Sequence, residues 1–313
     1  MPTARNPTII ALCLATAALL PAGALAARSA RAPAAGGEGV PQTVWFPSQD
    51  GKTELVGYLF LPAGAGPHPA VVMLHGRAGP YSSRVAAGCT LVARDVRSPC
   101  TAATLSRRHL QWGRFWAGRG YVALHVDSFG PRGKAHGFAR FTHDDPERDS
   151  VNERTVRPPD AFAALAWLRG RADVVPGRIG LQGWSNGGST TLNAMGTEAP
   201  GRPAGGAAAG FRAAIAFYPG CGKASLYQDK YRVAGRMMVF LGGADEEVSP
   251  EICVRTLERA KAAGGDLEFV VYPGASHGFD DPGEKRQSIP ANSHATQDAM
   301  ERAGRFFRQA LES

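Results

Sequence analysis

At 313 residues the chain is long enough for one large core, and 44% hydrophobic against 20% charged residues excludes a disordered or fibrous protein. The formal charge of +8 is scattered, with only Ser106 to Leu110 locally basic and no interleaving of basic and aromatic residues. That pattern excludes a nucleic-acid surface and reads as an ordinary basic exterior. The first predicted element precedes the fold. Arg5, the apolar run Ile9 to Leu20 and the cleavage-type residues Ala24-Leu25-Ala26 read as a secretory signal peptide over residues 1–26. The run is shorter than the about 20 residues a spanning helix needs, and no later segment reaches that length, so no stable membrane insertion is expected. Residues 27–40, small and rich in Gly and Pro, read as a disordered leader, and 41–313 as a single catalytic domain. An exported chain keeps disulfides. Cys89, Cys100, Cys221 and Cys253 allow three pairings, and the order of elements favours Cys89–Cys100 with Cys221–Cys253.

From Gln42 onward, strand-like runs alternate with helical patterns. "QTVWF" and "TELVGYLFL" read as an antiparallel pair turned at Asp50-Gly51, and "AVVMLHG" as a strand buried on both faces. A helix near Leu105 to Ala117, the strand "YVALHVDS" and a helix opened by Pro158-Pro159-Asp160 follow. Next come the strand "RIGLQGWS", a helix from Asn186, the strands "AAIAFYPG" and "RMMVFLGGAD", a helix from Pro250 to Ala263, "LEFVVYPG" and a terminal helix to about Leu311. This rhythm means a mostly parallel central sheet with helices on both faces, whose site lies beyond the carboxyl ends of its strands. The long connections from Gly79 to about Thr104 and from Phe129 to about Arg157 are expected to border that site.

The pattern G-x-S-x-G occurs twice. Ser185 ends a strand and opens a helix, the context of a strained nucleophile turn, in which Gly183 and Gly187 make room for the sharp bend. Ser276 is followed by "HGFDDPGE", which breaks any helix, so it reads as a turn residue. A serine hydroxyl needs a base, and the base an orienting acid. His277 and Asp245 both follow later strands, in the chain order Ser, Asp, His. Two backbone amides, of Asn186 and of Arg77 in "HGRAG", are the candidate oxyanion hole. Glu246 and Glu247, just past Asp245, are expected to face solvent. His75 reads as structural, and His125 and His136 as ordinary.

Together, "VVMLHGRAG", "VDSFGPRG", "RIGLQGWSNGG", "FYPGCG", "GGADEEVSP" and "YPGASHGFD" resemble the dienelactone hydrolase family. The resemblance implies an α/β-hydrolase fold without a large cap domain. It also implies cofactor-free cleavage of a small-molecule ester or lactone; no metal site is expected, and a monomer or a homodimer both stay open. Carried onto this chain, its triad is Ser185, Asp245 and His277. The name-giving members carry cysteine as nucleophile, and the serine here points to a broader carboxylic-ester hydrolase. Trp184, Phe129, Tyr218 and Phe279 are candidates to line the pocket, with a core role the alternative. Arg132 is a candidate for an anionic group, with a structural ion pair the alternative. A peptidase, an acyltransferase and a non-catalytic binding protein on the same scaffold remain open.

Overall fold

The computed structural model describes residues 1–2, 39–222 and 230–312, so the predicted signal peptide and leader lie outside it apart from 1–2 and 39–40. The chain divides into Met1–Pro33 and Ala34–Ser313, and everything below concerns the second unit. It opens with strand β1 (Gln42–Pro47) and β2 (Glu54–Phe60), then β3 (His68–Leu74), the short helix α1 (Ser83–Ala86), α2 (Arg107–Ala117) and β4 (Val122–Asp127). The alternation continues with α3 (Arg157–Arg169), β5 (Val174–Trp184), α4 (Asn186–Met195), β6 (Ala213–Phe217) and β7 (Arg236–Gly242). The last elements are α5 (Pro250–Ala262), β8 (Leu267–Tyr272), α6 (Glu284–Gln287) and α7 (Pro290–Leu311).

All eight strands form one sheet in the order β1-β2-β4-β3-β5-β6-β7-β8. The β1–β2 and β2–β4 pairs are antiparallel and every later pair is parallel. The central strands are apolar throughout because helices cover both their faces, and Val71 to Leu74 have no exposed surface. Phe162 and Leu165 of α3, Leu192 of α4 and Leu257 of α5 pack on one face. Trp112 and Trp116 of α2 with Phe306 and Phe307 of α7 pack on the other. Burying four such aromatic side chains contributes roughly 2–3 kcal/mol each, before the entropy of ordering them is subtracted. Both expected disulfides, Cys89–Cys100 and Cys221–Cys253, are formed. Among the described residues no helix is long and apolar enough to cross a membrane.

The strand order carries the functional geometry. β5 lies mid-sheet between β3 and β6, so a side chain just past its carboxyl end meets the loops that follow β3, β4, β6, β7 and β8.

Candidate active site

The turn after β5 is sterically exacting. Ser185 sits at φ 53°, ψ −116°, a conformation that costs about 1–3 kcal/mol and persists only when its surroundings enforce it. Its N–H donates to Phe217 O of β6 at 2.9 Å, and its carbonyl accepts from Ser189 N at 2.8 Å. A Cβ on Gly183 would stand 2.1 Å from the Gly187 carbonyl oxygen, and one on Gly187 would stand 2.2 Å from that of Leu74. Neither position admits a side chain, which is the physical content of the two glycines. Every residue of α4 is buried, so its weak helix formers are small because the sheet is close.

Asp245 and His277 lie on the loops after β7 and β8 and meet Ser185. His277 Nδ1 is 2.8 Å from Asp245 Oδ2, and Nε2 is 2.9 Å from Ser185 Oγ. A carboxylate only accepts, so Nδ1 carries the proton and Nε2 is left free to accept the serine hydroxyl. Asp245 is itself fixed, its Oδ1 accepting from Glu247 N at 2.8 Å and Val248 N at 3.0 Å. The Tyr218 ring packs 4.7 Å from the imidazole, and the His277 N–H donates to Glu246 Oε2 at 2.9 Å. Ser276 is committed elsewhere: Arg286 Nη1 donates to its hydroxyl at 2.6 Å, and Asn292 holds its backbone N–H at 2.9 Å.

The amide of Asn186 is the first of α4 and has no acceptor within the helix. The Arg77 amide, on the loop after β3, has none among the described residues. Each residue is clamped by its other groups. Arg77 O accepts from Phe138 N at 2.9 Å, while its guanidinium donates to Phe138 O at 2.8 Å and grips Glu247 through Nε and Nη2, 3.0 Å each. Asn186 Nδ2 donates to Glu153 Oε2 at 2.7 Å, and its Oδ1 accepts from Arg157. Arg157, with no exposed surface, also donates to His75 O at 2.8 Å and so binds the two amide-bearing loops together. Burial lowers its pKa to about 10, against the opposing pull of Asp160, Glu153 and Asp127.

Glu247 corrects a sequence expectation. Its side chain is only 9% exposed, holds Arg77 and Arg140, and lies 3.8 Å from His277 Nε2. Burial raises its pKa, but the hydrogen bond from Arg77 and the positive charges of Arg77 and Arg140 outweigh burial and lower it overall. Glu246 is exposed, as expected, yet it also supports the His277 backbone.

A cavity of about 300 Å³ opens in front of Ser185, walled by Arg77, Phe141, His143, Arg148, Glu153 and Asn186 on one side. Gly220, the bonded Cys221, Val248 and Ile252 form the other. None of the five pocket candidates lines it, and for Trp184 and Tyr218 the reason is one carboxylate. Asp280, 1% exposed, accepts from the Trp184 indole at 2.8 Å, the Trp112 indole at 2.9 Å and the Tyr218 hydroxyl. Trp184 and Tyr218 therefore point into the layer behind the triad, where Phe279 packs 5.4 Å from Tyr218. Phe129 is buried 4.5 Å from His75, and Arg132 forks onto Asp160 at 2.8 and 2.9 Å with Asp50 at 3.0 Å, the structural alternative for both. The 129–156 connection does border the cavity, through Phe141, His143, Arg148 and Glu153. The 79–104 connection does not. Stapled by Cys89–Cys100, it backs the first, with Val92 N bonded to Gly130 O at 3.0 Å and Ala135 N to Thr90 O at 2.9 Å.

His75 is structural as expected, its Nδ1 donating to Gly76 O at 2.7 Å, and His136 Nδ1 lies 3.2 Å from Cys89 O. His125 is not ordinary. It is wholly buried, 4.2 Å from the His109 ring and 6.2 Å from that of His75, and neither of its nitrogens has a hydrogen-bond partner among the described residues. Burial first, with the charge of Arg157 adding to it, pushes its pKa well down and keeps it neutral. No group of ligating side chains among the described residues could hold a metal ion.

Comparison with known proteins agrees with this architecture. The model of the dienelactone hydrolase family matches residues 107–311, well over half of the chain. A protein of Methylorubrum extorquens named "Putative carboxymethylenebutenolidase" is 27% identical over 98% of this chain and 94% of its own length. Among solved structures, the dienelactone hydrolase-like promiscuous phosphotriesterase P91, from metagenomic libraries, superposes with a TM-score of 0.62 at 19% identity, covering 87% of this chain and all of its own. Esterase 2 of Thermogutta terrifontis superposes with a TM-score of 0.58 at 22% identity, covering 86% of this chain and 94% of its own. With the family's model spanning α2 to α7, the chain belongs to the dienelactone hydrolase family and is a hydrolase acting on ester bonds.

Proposed function

We propose that the chain is an exported serine hydrolase that cleaves carboxylic esters or lactones through an acyl-enzyme on Ser185. The observation that carries this reading is the unbroken path from Ser185 Oγ to His277 Nε2 at 2.9 Å and from Nδ1 to Asp245 Oδ2 at 2.8 Å. Oγ attacks the carbonyl carbon as Nε2 takes its proton, and the oxyanion accepts from the amides of Arg77 and Asn186. Nε2 then protonates the leaving alkoxide as its bond to the acyl carbon breaks. Water gives a proton to Nε2, attacks the acyl carbon, and the acid leaves as Oγ is reprotonated. Asp245 keeps the imidazole in the required tautomer and offsets its transient positive charge. The two disulfides suit an oxidising compartment, in keeping with the signal-peptide pattern at the N-terminus. Lactone opening belongs in the substrate set because the curated relative's name is that of a lactone hydrolase.

A fluorophosphonate probe, with the adduct located by mass spectrometry, tests the assignment. The expected result is a stoichiometric adduct on Ser185 that is abolished in Ser185→Ala and greatly slowed in His277→Ala. An adduct on Ser276, or none, would sink it.

A further inference from the structure

Arg77, Arg148, Glu153 and Glu247, in the cavity wall, are each already held by a neighbour. Arg77 spends its Nε and Nη2 on Glu247, 3.0 Å each, and its Nη1 on Phe138 O at 2.8 Å. Arg140 Nε adds a 2.7 Å ion pair to the same carboxylate. Arg148, 6% exposed, donates to Thr142 O at 3.1 Å and lies 5.5 Å over the Phe138 ring. Glu153 is held by Asn186. Glu247 stands beside the reacting imidazole, 3.8 Å from His277 Nε2. Phe141, 72% exposed, and Ile252, 37% exposed, form an apolar lip to the same cavity.

Resting on the assignment of Ser185 as nucleophile, we propose that Glu247 is a specificity-determining residue that restricts the cavity to esters with an uncharged acyl group. It does so in two ways. It fills the guanidinium fork that an acyl carboxylate would otherwise use, and it sets its own negative charge beside the atoms that react. An anionic acyl chain entering this cavity must either displace Glu247 from Arg77 or lie within a few ångströms of it in a partly buried site, where screening is weak. A neutral acyl chain pays neither penalty and gains contact with Phe141, Val248 and Ile252. Arg77 is then a positioning residue for the oxyanion amide rather than a receptor for substrate anions.

The test compares p-nitrophenyl butyrate with p-nitrophenyl hemisuccinate, acyl chains of matched length that differ in a terminal carboxylate. For the wild-type protein, kcat/KM is expected to favour the neutral ester by about 10-fold or more, the scale of one like-charge contact that Arg77 and Arg140 partly offset. Glu247→Gln keeps an acceptor for Arg77 but frees its positive charge, and should narrow the ratio by roughly 10-fold or more. Arg77→Met, which leaves Glu247 without that partner, should widen it, so that the idea stays testable if either variant folds poorly. Equal use of both esters by the wild type, or a ratio that neither variant moves, would overturn the inference while leaving ester hydrolysis intact. If neither ester is hydrolysed and the fluorophosphonate fails to label Ser185, the assignment of the nucleophile falls first and this inference with it.

Discussion

Asp280 gives the sharpest test of how the layer behind the triad is held. Its Oδ2 accepts from both indoles, Trp184 at 2.8 Å and Trp112 at 2.9 Å, and its Oδ1 accepts from Tyr218 and pairs with Arg108 Nε at 3.2 Å. In Asp280→Asn only one oxygen remains. If it faces the indoles, the amide N–H is turned against the Tyr218 hydroxyl and Arg108; if flipped, it is turned against the two indoles. Either way at least one buried donor is orphaned, and Arg108 loses its nearer carboxylate. Breaking a buried pair from one side costs about 3–5 kcal/mol. Arg108 retains Asp281 at 3.3 Å, which places the expected loss near the lower figure, about 3 kcal/mol. Urea unfolding followed by tryptophan fluorescence should show a lower midpoint at an unchanged slope. Because Trp184 precedes Ser185 and Tyr218 packs on His277, ester hydrolysis should fall at least about 10-fold even where the variant is fully folded. The neighbouring Asp281→Asn, with its carboxylate 43% exposed, is the control and should cost under about 1 kcal/mol. A loss below about 1 kcal/mol with full activity in Asp280→Asn would refute the reasoning.

Acid should destabilise the fold well before the carboxylates titrate. Burial first, then neighbouring charge, lowers the pKa of His109 to about 3 from 6.5, and those of His75 and His125 also lie below 6.5. The unfolded chain binds these protons near pH 6.5 and the native one does not, so stability is complete above that value and falls as pH drops toward the native pKa values. Three such groups set a slope of up to about 4 kcal/mol per pH unit; urea midpoints at about pH 8 and about pH 5.5 measure it, and equal midpoints would mean that the native imidazoles accept protons. Gly187→Ala drives a Cβ to within 2.2 Å of a backbone oxygen, so it should lower stability by about 3 kcal/mol or more and abolish labelling of Ser185. A well-folded, active Gly187→Ala protein would mean that the turn is looser than the structure has it.

What was legible in the sequence was what is local. Ser185 and its glycines lie within five residues, and the chain order of strand ends carries Asp245 and His277 to the same edge of the sheet. Glu247 was misread because its partner Arg77 is 170 residues away, and nothing near it in the chain reports that distance. Arg157 read as the end of the long connection; it opens α3, and its guanidinium reaches Asn186 29 residues on and His75 82 residues back. The aromatic candidates failed for a related reason. Position beside the nucleophile says that Trp184 is close to it, not which side of the sheet its indole takes, and Asp280, 96 residues later, decides that.

The clamp on Asn186 has an evolutionary corollary. Ser185, Asp245 and His277 hang from β5, β7 and β8, whereas Arg77, Phe141, His143, Arg148 and Glu153 hang from β3 and β4. Proton handling thus hangs from one half of the scaffold and much of the cavity wall from the other, with Glu247 reaching across the cleft to Arg77 and Asn186 joined to the far half through Arg157 and Glu153. A lineage can exchange the tip of the 129–156 connection, from Phe141 to Arg148, and inherit a new appetite with its chemistry untouched, provided that Glu153 and Arg157 travel with the old half.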